Sequence, residues 1–307
     1  MEDEYYVAEG GRFAAVFDGH GGGGVSAHLR RRLHDLFEYH LARAEEDYQL
    51  MHAASADAML PPTSSTSGGN MAAPIPSSSH SVASSLNSRV AAIRAAFDDV
   101  EREVCLDDDL QYQGSTAAAV LLHEDGDGTK TLLSANVGDS RAILSRRGLA
   151  VDLTRDHKPN DERERARIHG MGETIEWDHY CKIHRVRNLS LSRAIGDRFA
   201  KPVVSGEVEI KRYPMTEDGD EFVIVASDGL WDVLSSQETV DFVKRKLEAI
   251  PSGRTVLTEA EMERMKYARR KNMSRHVANE ALRKGSGDNI CVVIIWLKGA
   301  RIDQTLP

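Results

Sequence analysis

The sequence predicts an α+β fold of layered sheets and helices, not a doubly wound parallel sheet. Apolar runs of strand length fall in antiparallel-looking groups, without strict strand–helix alternation. Long stretches with a helical apolar stripe stand apart from those runs. A third pattern links fold to chemistry. F-A-A-V-F at Phe13–Phe17 runs into Asp18-Gly19-His20, F-V-I-V-A at Phe222–Ala226 runs into Ser227-Asp228-Gly229, and Asp288-Asn289 opens the apolar run Ile290–Leu297. Three strand ends thus each deliver an aspartate.

Tyr5, Tyr6 and Val7 predict an edge strand, and Gly10-Gly11 a hairpin turn into Phe13–Phe17. After the glycine run, Val25, Leu29, Leu33, Leu36, Phe37 and Leu41 form one stripe of a helix over 25–48. Ala54–Asn87 is rich in Ser, Pro, Gly and Ala and predicts a disordered insertion between two helices. Val90, Ile93, Phe97 and Val100 predict the second helix over 88–104. Strands follow at 117–122 and 131–145, the latter broken by a turn at V-G-D-S, Val137–Ser140. Asn160–Gly170 predicts a short charged helix closed by glycine. Met171–Arg187 reads as an irregular surface flap. Ser235-x-x-Glu238 is a capping box opening a helix to about 247, and Thr258-x-x-Glu261 one opening a helix or helix pair to about 284.

The composition bounds the function. The chain of 307 residues is 41% hydrophobic, enough for a substantial core, and is read as one domain over 1–307. A net charge of −9 argues against non-specific nucleic-acid binding, which needs a basic face. Cys105, Cys181 and Cys291 are few, odd in number and scattered, so they suggest neither a disulfide framework nor a cysteine zinc site. No apolar run approaches membrane-spanning length, and the start M-E-D-E-Y-Y lacks signal-peptide character. The expectation is a cytoplasmic or nuclear monomer with no membrane or nucleic-acid partner.

A carboxylate at the mouth of an apolar strand is costly unless neutralised. If the strands are neighbours, Asp18, Asp228 and Asp288 converge, and a divalent cation can hold them together. Oxygen donors without Cys or His clusters favour Mg²⁺ or Mn²⁺. A metal pair can activate a water for attack on phosphorus, and His20 could protonate the leaving oxygen. Each aspartate taken singly is a turn residue; the recurrence carries the reading. The run G-H-G-G-G-G lacks the G-K-[ST] ending of a nucleotide loop.

The ordered motifs resemble the metal-dependent Ser/Thr protein phosphatases of type 2C. They are M-E-D at Met1–Asp3, F-A-A-V-F-D-G-H-G-G at Phe13–Gly22, G-S-T-A at Gly114–Ala117 and S-A-N-V-G-D-S-R-A-I-L at Ser134–Leu144. L-T-R-D-H-K-P at Leu153–Pro159, L-S-R-A-I-G-D at Leu191–Asp197, V-A-S-D-G-L-W-D-V at Val225–Val233 and S-G-D-N-I at Ser286–Ile290 follow. The resemblance implies a central antiparallel β-sandwich flanked by helices, in α-β-β-α layers, with the metal site at one end. It implies Asp18 as the carboxylate bridging two Mg²⁺ or Mn²⁺ ions, Gly19 as a carbonyl ligand, Asp228 and Asp288 as single-metal ligands, and Glu2 and Asp3 as the N-terminal acidic pair. Asp139, Asp228 and Asp232 match a third, weaker site, and His20 the general acid. Phosphoprotein substrates are implied with them. Trp231 and Thr116 read as packing residues, Arg193 and Asp197 as structural.

The sequence departs from the family at three places. A strand and a phosphate-binding arginine that normally precede the acidic pair are absent. Truncation of the start is therefore the expectation, with Glu2 and Asp3 on a frayed terminus and one edge strand missing. R-V-R-N-L-S at Arg185–Ser190 replaces a glycine-containing segment beside the flap. The insertion at 54–87 and the basic K-Y-A-R-R-K at Lys266–Lys271 complete the list; the latter reads as a solvated helix face. The leading function is hydrolysis of phosphoserine and phosphothreonine on proteins. The alternatives are a silent phosphatase-like binding protein and a metal-dependent nuclease, the latter disfavoured by the acidic charge.

Overall fold

The computed structural model describes residues 1–58, 78–216, 218–249 and 258–297. Strand β1 (Glu4–Val7) pairs with β2 (Phe13–Phe17), followed by the two-residue β3 (Gly19–His20) and helices α1 (Gly24–Ala58) and α2 (Ser78–Leu106). Next come β4 (Gly114–Ser115), β5 (Ala117–Glu124), β6 (Lys130–Val137), β7 (Arg141–Arg146) and β8 (Leu149–Asp152). Helix α3 (Glu162–Gly170), β9 (Glu176–Asp178), β10 (Ile183–Arg185), β11 (Ile195–Gly196) and β12 (Glu209–Pro214) follow. The chain continues through β13 (Asp220–Ala226), α4 (Asp228–Trp231), α5 (Ser236–Glu248), α6 (Glu259–Arg270), α7 (Met273–Arg283) and β14 (Val292–Trp296).

Two antiparallel sheets form the centre, in the orders β1-β2-β5-β6-β12 and β14-β13-β7-β8. Ala14, Val16, Ala118, Val120 and Leu132 of the first sheet pack on Ala142, Leu144, Val223, Val225, Val293 and Ile295 of the second. The other face of the first sheet, with Phe13, Phe17, Ala119 and Leu133, packs on Leu29, Leu33 and Phe37 of α1 and Phe97 and Val100 of α2. The outer face of the second, with Phe222, Ile224, Ile294 and Trp296, packs on Val240 and Val243 of α5 and Val277 and Ala281 of α7. These are the expected α-β-β-α layers. Central strands covered on both faces explain why F-A-A-V-F and V-V-I-I-W are continuously apolar instead of alternating.

The topology refines several local expectations. V-G-D-S is the expected turn between two strands, and it joins the sheets, because β6 lies in the first and β7 in the second. The loop therefore bridges the sandwich and carries Asp139 across its edge. The flap is a small antiparallel hairpin of β9 and β10, His184 opposite Trp177; three-residue strands are too short to show periodicity. Helix α3 ends at Gly170 as expected, but its C-cap is Met171, followed by the left-handed Gly172 (φ 79°), and not a glycine. Of the predicted insertion, residues 59–77 lie outside the described residues; Ala54–Ala58 closes α1 and Ser78–Asn87 opens α2. The basic stretch lies on a helix with no buried residue, as expected of a solvated face, although two of its arginines contact the fold. Arg269 donates to the Leu247 carbonyl (2.8 Å), and Arg270 lies over the Trp296 ring.

One buried ion cluster ties α3 to the L-S-R-A-I-G-D segment. Glu164, fully buried, accepts from Arg193 (Nε 3.0 Å, Nη2 2.6 Å), Arg167 (Nη2 2.8 Å) and Ser192 Oγ (3.0 Å). Burial alone would raise its pKa; the two guanidinium groups outweigh that and lower it from 4.5 to about 2. Glu164→Gln is expected to cost roughly 3 kcal/mol, because it leaves two half-buried cations without their anion. The measurement is a urea midpoint that falls with unchanged slope. The depressed pKa sets the sign of the pH effect. The carboxylate's contribution is complete above 4.5 and disappears as pH falls toward 2. The variant's deficit should therefore shrink on acidification across that window, and a deficit constant with pH would contradict this account.

Candidate metal centre

Antiparallel pairing gathers the candidate residues at one end of the sandwich. Ala226 at the end of β13 faces Val292 at the start of β14 and Arg141 at the start of β7. Asp228, Asp288 and Asp139 therefore leave three neighbouring strands at the same edge. In the first sheet, Glu4 faces Phe17, and Ala117 faces Val137. Glu2, Asp3 and Asp18 emerge beside Thr116 on the matching edge.

Glu2, Asp18, Gly19, His20, Asp139, Asp228 and Asp288 line one cleft of about 410 Å³. Asp232 lies outside it, in an adjoining cleft that shares Asp228 and Asp288 and runs under the flap. Asp3 lines neither; it is buried behind the acids, and Ser227 Oγ donates to its Oδ2 (2.8 Å). Ser227 in turn accepts from the Cys291 amide (2.9 Å). The acidic pair is thus not frayed: β1 pairs with β2, and Ser26 Oγ donates to the Glu2 carbonyl (2.6 Å). Gly19 permits that approach, since a β-carbon there would lie 2.7 Å from the Glu2 oxygen.

Two interactions of Asp18 were not legible in the sequence. Its amide donates to Thr116 Oγ1 (3.1 Å), and the Thr116 amide donates back to its carbonyl (2.9 Å). Thr116 Oγ1 also meets Ser140 Oγ at 2.6 Å, beside Asp139. Thr116 is therefore a positioning residue as well as a packed one. Trp231 is the core anchor expected, its indole donating to the Ala226 carbonyl (2.8 Å).

His20 Nε2 contacts Asp197 Oδ2 at 2.7 Å. Asp197 is fully buried, with a left-handed backbone (φ 50°). Burial alone would lower the His20 pKa, but the Asp197 carboxylate raises it overall. A β-carbon at Gly114 would overlap both partners, so only glycine admits the pair. The role of Asp197 could not be read from L-S-R-A-I-G-D, because its partner lies 177 residues away. Arg185 of β10 also lines the first cleft, with Nε on Asp178 (2.9 Å) and Nη1 on the Asn188 carbonyl (3.0 Å). Asn188 and Arg187 adopt the left-handed conformation that replaces the family's glycine (φ 67° and 52°).

L-T-R-D-H-K-P straps the Asp139 loop. Thr154 Oγ1 accepts from the Ala142 amide (2.9 Å), and the Arg155 carbonyl accepts from Asn136 (3.0 Å). Asp156 pairs with Arg141 (2.7 Å), and His157 Nδ1 accepts from the Gly138 amide (3.1 Å). Lys158 Nζ reaches Asp139 Oδ2 (2.6 Å) and Asp228 Oδ2 (3.7 Å).

The electrostatics fit a hard divalent cation. Burial first, then the charges of Asp228, Asp3 and Asp139, push the Asp18 pKa up to about 10. Burial and Asp139 raise Asp228 to about 7, against the pull of Lys158. Asp3 and Asp232 are raised too, chiefly by burial. Asp3 Oδ1 is buried with no hydrogen-bond partner. Carboxylates that resist ionising, with unused oxygens, are a donor set awaiting positive charge. Among the described residues, no three acidic, histidine or cysteine side chains are drawn together tightly enough to hold an ion as they stand. The fit therefore rests on donor chemistry and charge.

Comparison with known proteins agrees with this arrangement. The sequence profile of the family described as "Protein phosphatase 2C" matches residues 8–290. "Protein phosphatase 2C 53" of Oryza sativa subsp. japonica is 32% identical over 311 residues, covering 94% of this chain and 60% of that protein. "Probable protein phosphatase 2C 75" of Arabidopsis thaliana is 40% identical over 194 residues, covering 61% of this chain and 44% of that protein. The chain thus spans about half the length of these curated relatives. A solved structure described as that of a C. elegans sex determining protein superposes with a TM-score of 0.69 at 25% identity, over 97% of this chain and 61% of that one. With a family match from residue 8 to residue 290 and its motifs gathered at one end of a two-sheet sandwich, the chain belongs to the protein phosphatase 2C family.

Proposed function

We propose that this chain hydrolyses phosphoserine and phosphothreonine esters on proteins in a reaction that depends on Mg²⁺ or Mn²⁺. The observation carrying the reading is the convergence of Asp18, Asp228 and Asp288 with His20 in one cleft. Glu2, Asp3, Asp18, Asp228, Asp288 and the Gly19 carbonyl would hold two ions, and Asp139 and Asp232 would join Asp228 in a weaker third site. When bound, such ions neutralise phosphoryl charge and activate water.

The chain's own residues supply the rest. Thr116 fixes the Asp18 backbone, so the central carboxylate needs little reorganisation. His20, its pKa raised by the Asp197 carboxylate it contacts, donates a proton to the departing serine or threonine oxygen, which is too basic to leave as an alkoxide. Arg185 offers a guanidinium to the phosphate from the flap side of the cleft.

Three variants test these roles. Asp228→Asn, or chelation of the wild type, is expected to reduce hydrolysis of a phosphothreonine peptide by about 100-fold or more; an undiminished rate in either experiment sinks the metal-dependent reading. Asp197→Asn should lower kcat on that peptide by about 10- to 100-fold. The loss should be much smaller on p-nitrophenyl phosphate, whose leaving group departs without a proton. Equal losses on both substrates would mean that Asp197 serves the fold and not the proton donor. Arg185→Ala should raise KM for the peptide about tenfold with a smaller change in kcat, and an unchanged KM removes it from substrate binding.

A further inference from the structure

Asp139, Asp228 and Asp232 are the acids read as a third metal site, yet a protein cation already stands among them. Lys158 Nζ lies 2.6 Å from Asp139 Oδ2 and 3.7 Å from Asp228 Oδ2, and it shares the adjoining cleft with Asp232. Its side chain is 30% exposed, and it follows His157 in the strap that clamps the Asp139 loop. Asp139 Oδ2 is buried, and the Lys158 ammonium is the cation that stands against it. An ammonium and a divalent ion cannot occupy one position against the same oxygens.

We propose that Lys158 is the built-in occupant of the third cation position, and that a divalent ion binds Asp139, Asp228 and Asp232 only by displacing its ammonium. The inference rests on the metal-dependent reading given above. It assigns the third site's weakness to this chain's own lysine and not to a poor donor set. Among the described residues Lys158 forms an ion pair with neither Asp18, Asp288, Glu2 nor Asp3, and its approach to Asp228, which the tight pair shares, is the longer of its two. Filling the tight sites therefore leaves the closer Asp139 contact in place; filling the third does not.

The displacement has a direct consequence for the amine. Held against Asp139, it is a poor nucleophile toward acylating reagents; pushed into the open cleft under the flap, it becomes accessible.

Two measurements decide the matter. The first is a Mn²⁺ binding isotherm, read by electron paramagnetic resonance of free Mn²⁺, on wild type, Lys158→Met and Lys158→Arg. Lys158→Met should tighten the weakest site by about tenfold or more, the expected effect of removing one adjacent positive charge from a partly dry site. Lys158→Arg should leave that site weak, and Asp232→Asn in the Lys158→Met background should abolish the gain. The second uses the wild-type protein alone, which guards against a variant that fails to fold. Acetylation of Lys158, followed by peptide mass spectrometry, should rise as Mn²⁺ passes from concentrations filling the tight sites to those filling the weak one. If the Lys158→Met isotherm matches wild type, or acetylation does not respond to weak-site filling, the proposal is overturned while metal dependence stands. Absence of any tight Mn²⁺ site in wild type would overturn the metal-dependent reading itself.

Discussion

The constraint on which the structure depends is the repulsion among carboxylates gathered at one end of a sandwich. At about 4 Å, two like charges repel by about 1 kcal/mol in water and several times that in a protein interior. Asp18, Asp228, Asp3 and Asp232 all resist ionisation, with burial as the first cause. Such a cluster persists only if the backbone holds each member where its own electrostatics would not. The close-packed layers above and below the sheets do that holding. Their strands end where the acids begin, so core packing fixes the positions from which the acids project.

Antiparallel pairing makes the gathering possible with few residues. In an antiparallel sheet, the start of one strand lies beside the end of its neighbour. An acid after β13, one before β14 and one before β7 therefore emerge together although they lie far apart in the chain. The same rule brings the residues before β1 beside those after β2. A parallel sheet would send successive strand ends to one edge but separate the preceding loops to the other. The bridging loop after β6 then joins the two sheets at this edge, and the strap at Leu153–Pro159 holds it from outside.

Much of this was legible in the sequence because it was periodic or local. Continuous apolar runs marked the central strands, amphipathic stripes marked the helices, and aspartate at three strand ends marked the site. Capping boxes at Ser235 and Thr258 open α5 and α6 with both reciprocal bonds formed. What escaped was non-local or short. The three-residue strands of the flap have too few positions to show a period. The bonds from Asp197 to His20 and from Thr116 to Asp18 cross long sequence separations, so neither residue type nor spacing announces them. The expectation of a frayed acidic pair failed because it weighed only nearness to the chain start. Asp3 is held by Ser227, 224 residues away.

The flap shows how such a centre leaves room for variation. Its residues do not join either sheet. Val186 and Leu191 pack with Ile168 of α3 and with Ala194, Val203 and Val204 in a cluster of their own. That cluster is fastened by the buried Glu164 and its arginines. The hairpin carrying Trp177, Lys182 and His184 is therefore supported from α3 and not from the strands that carry the acids. A change in the hairpin alters what overhangs the cleft while β13, β14 and β7 keep Asp228, Asp288 and Asp139 in register. This separation accounts for R-V-R-N-L-S departing from the family beside an acidic set that does not. Two consecutive left-handed residues, Arg187 and Asn188, form the turn after β10 that Val186 and Leu189 close, each amide donating to the other's carbonyl (2.9 Å), so the unusual backbone falls outside the sandwich strands.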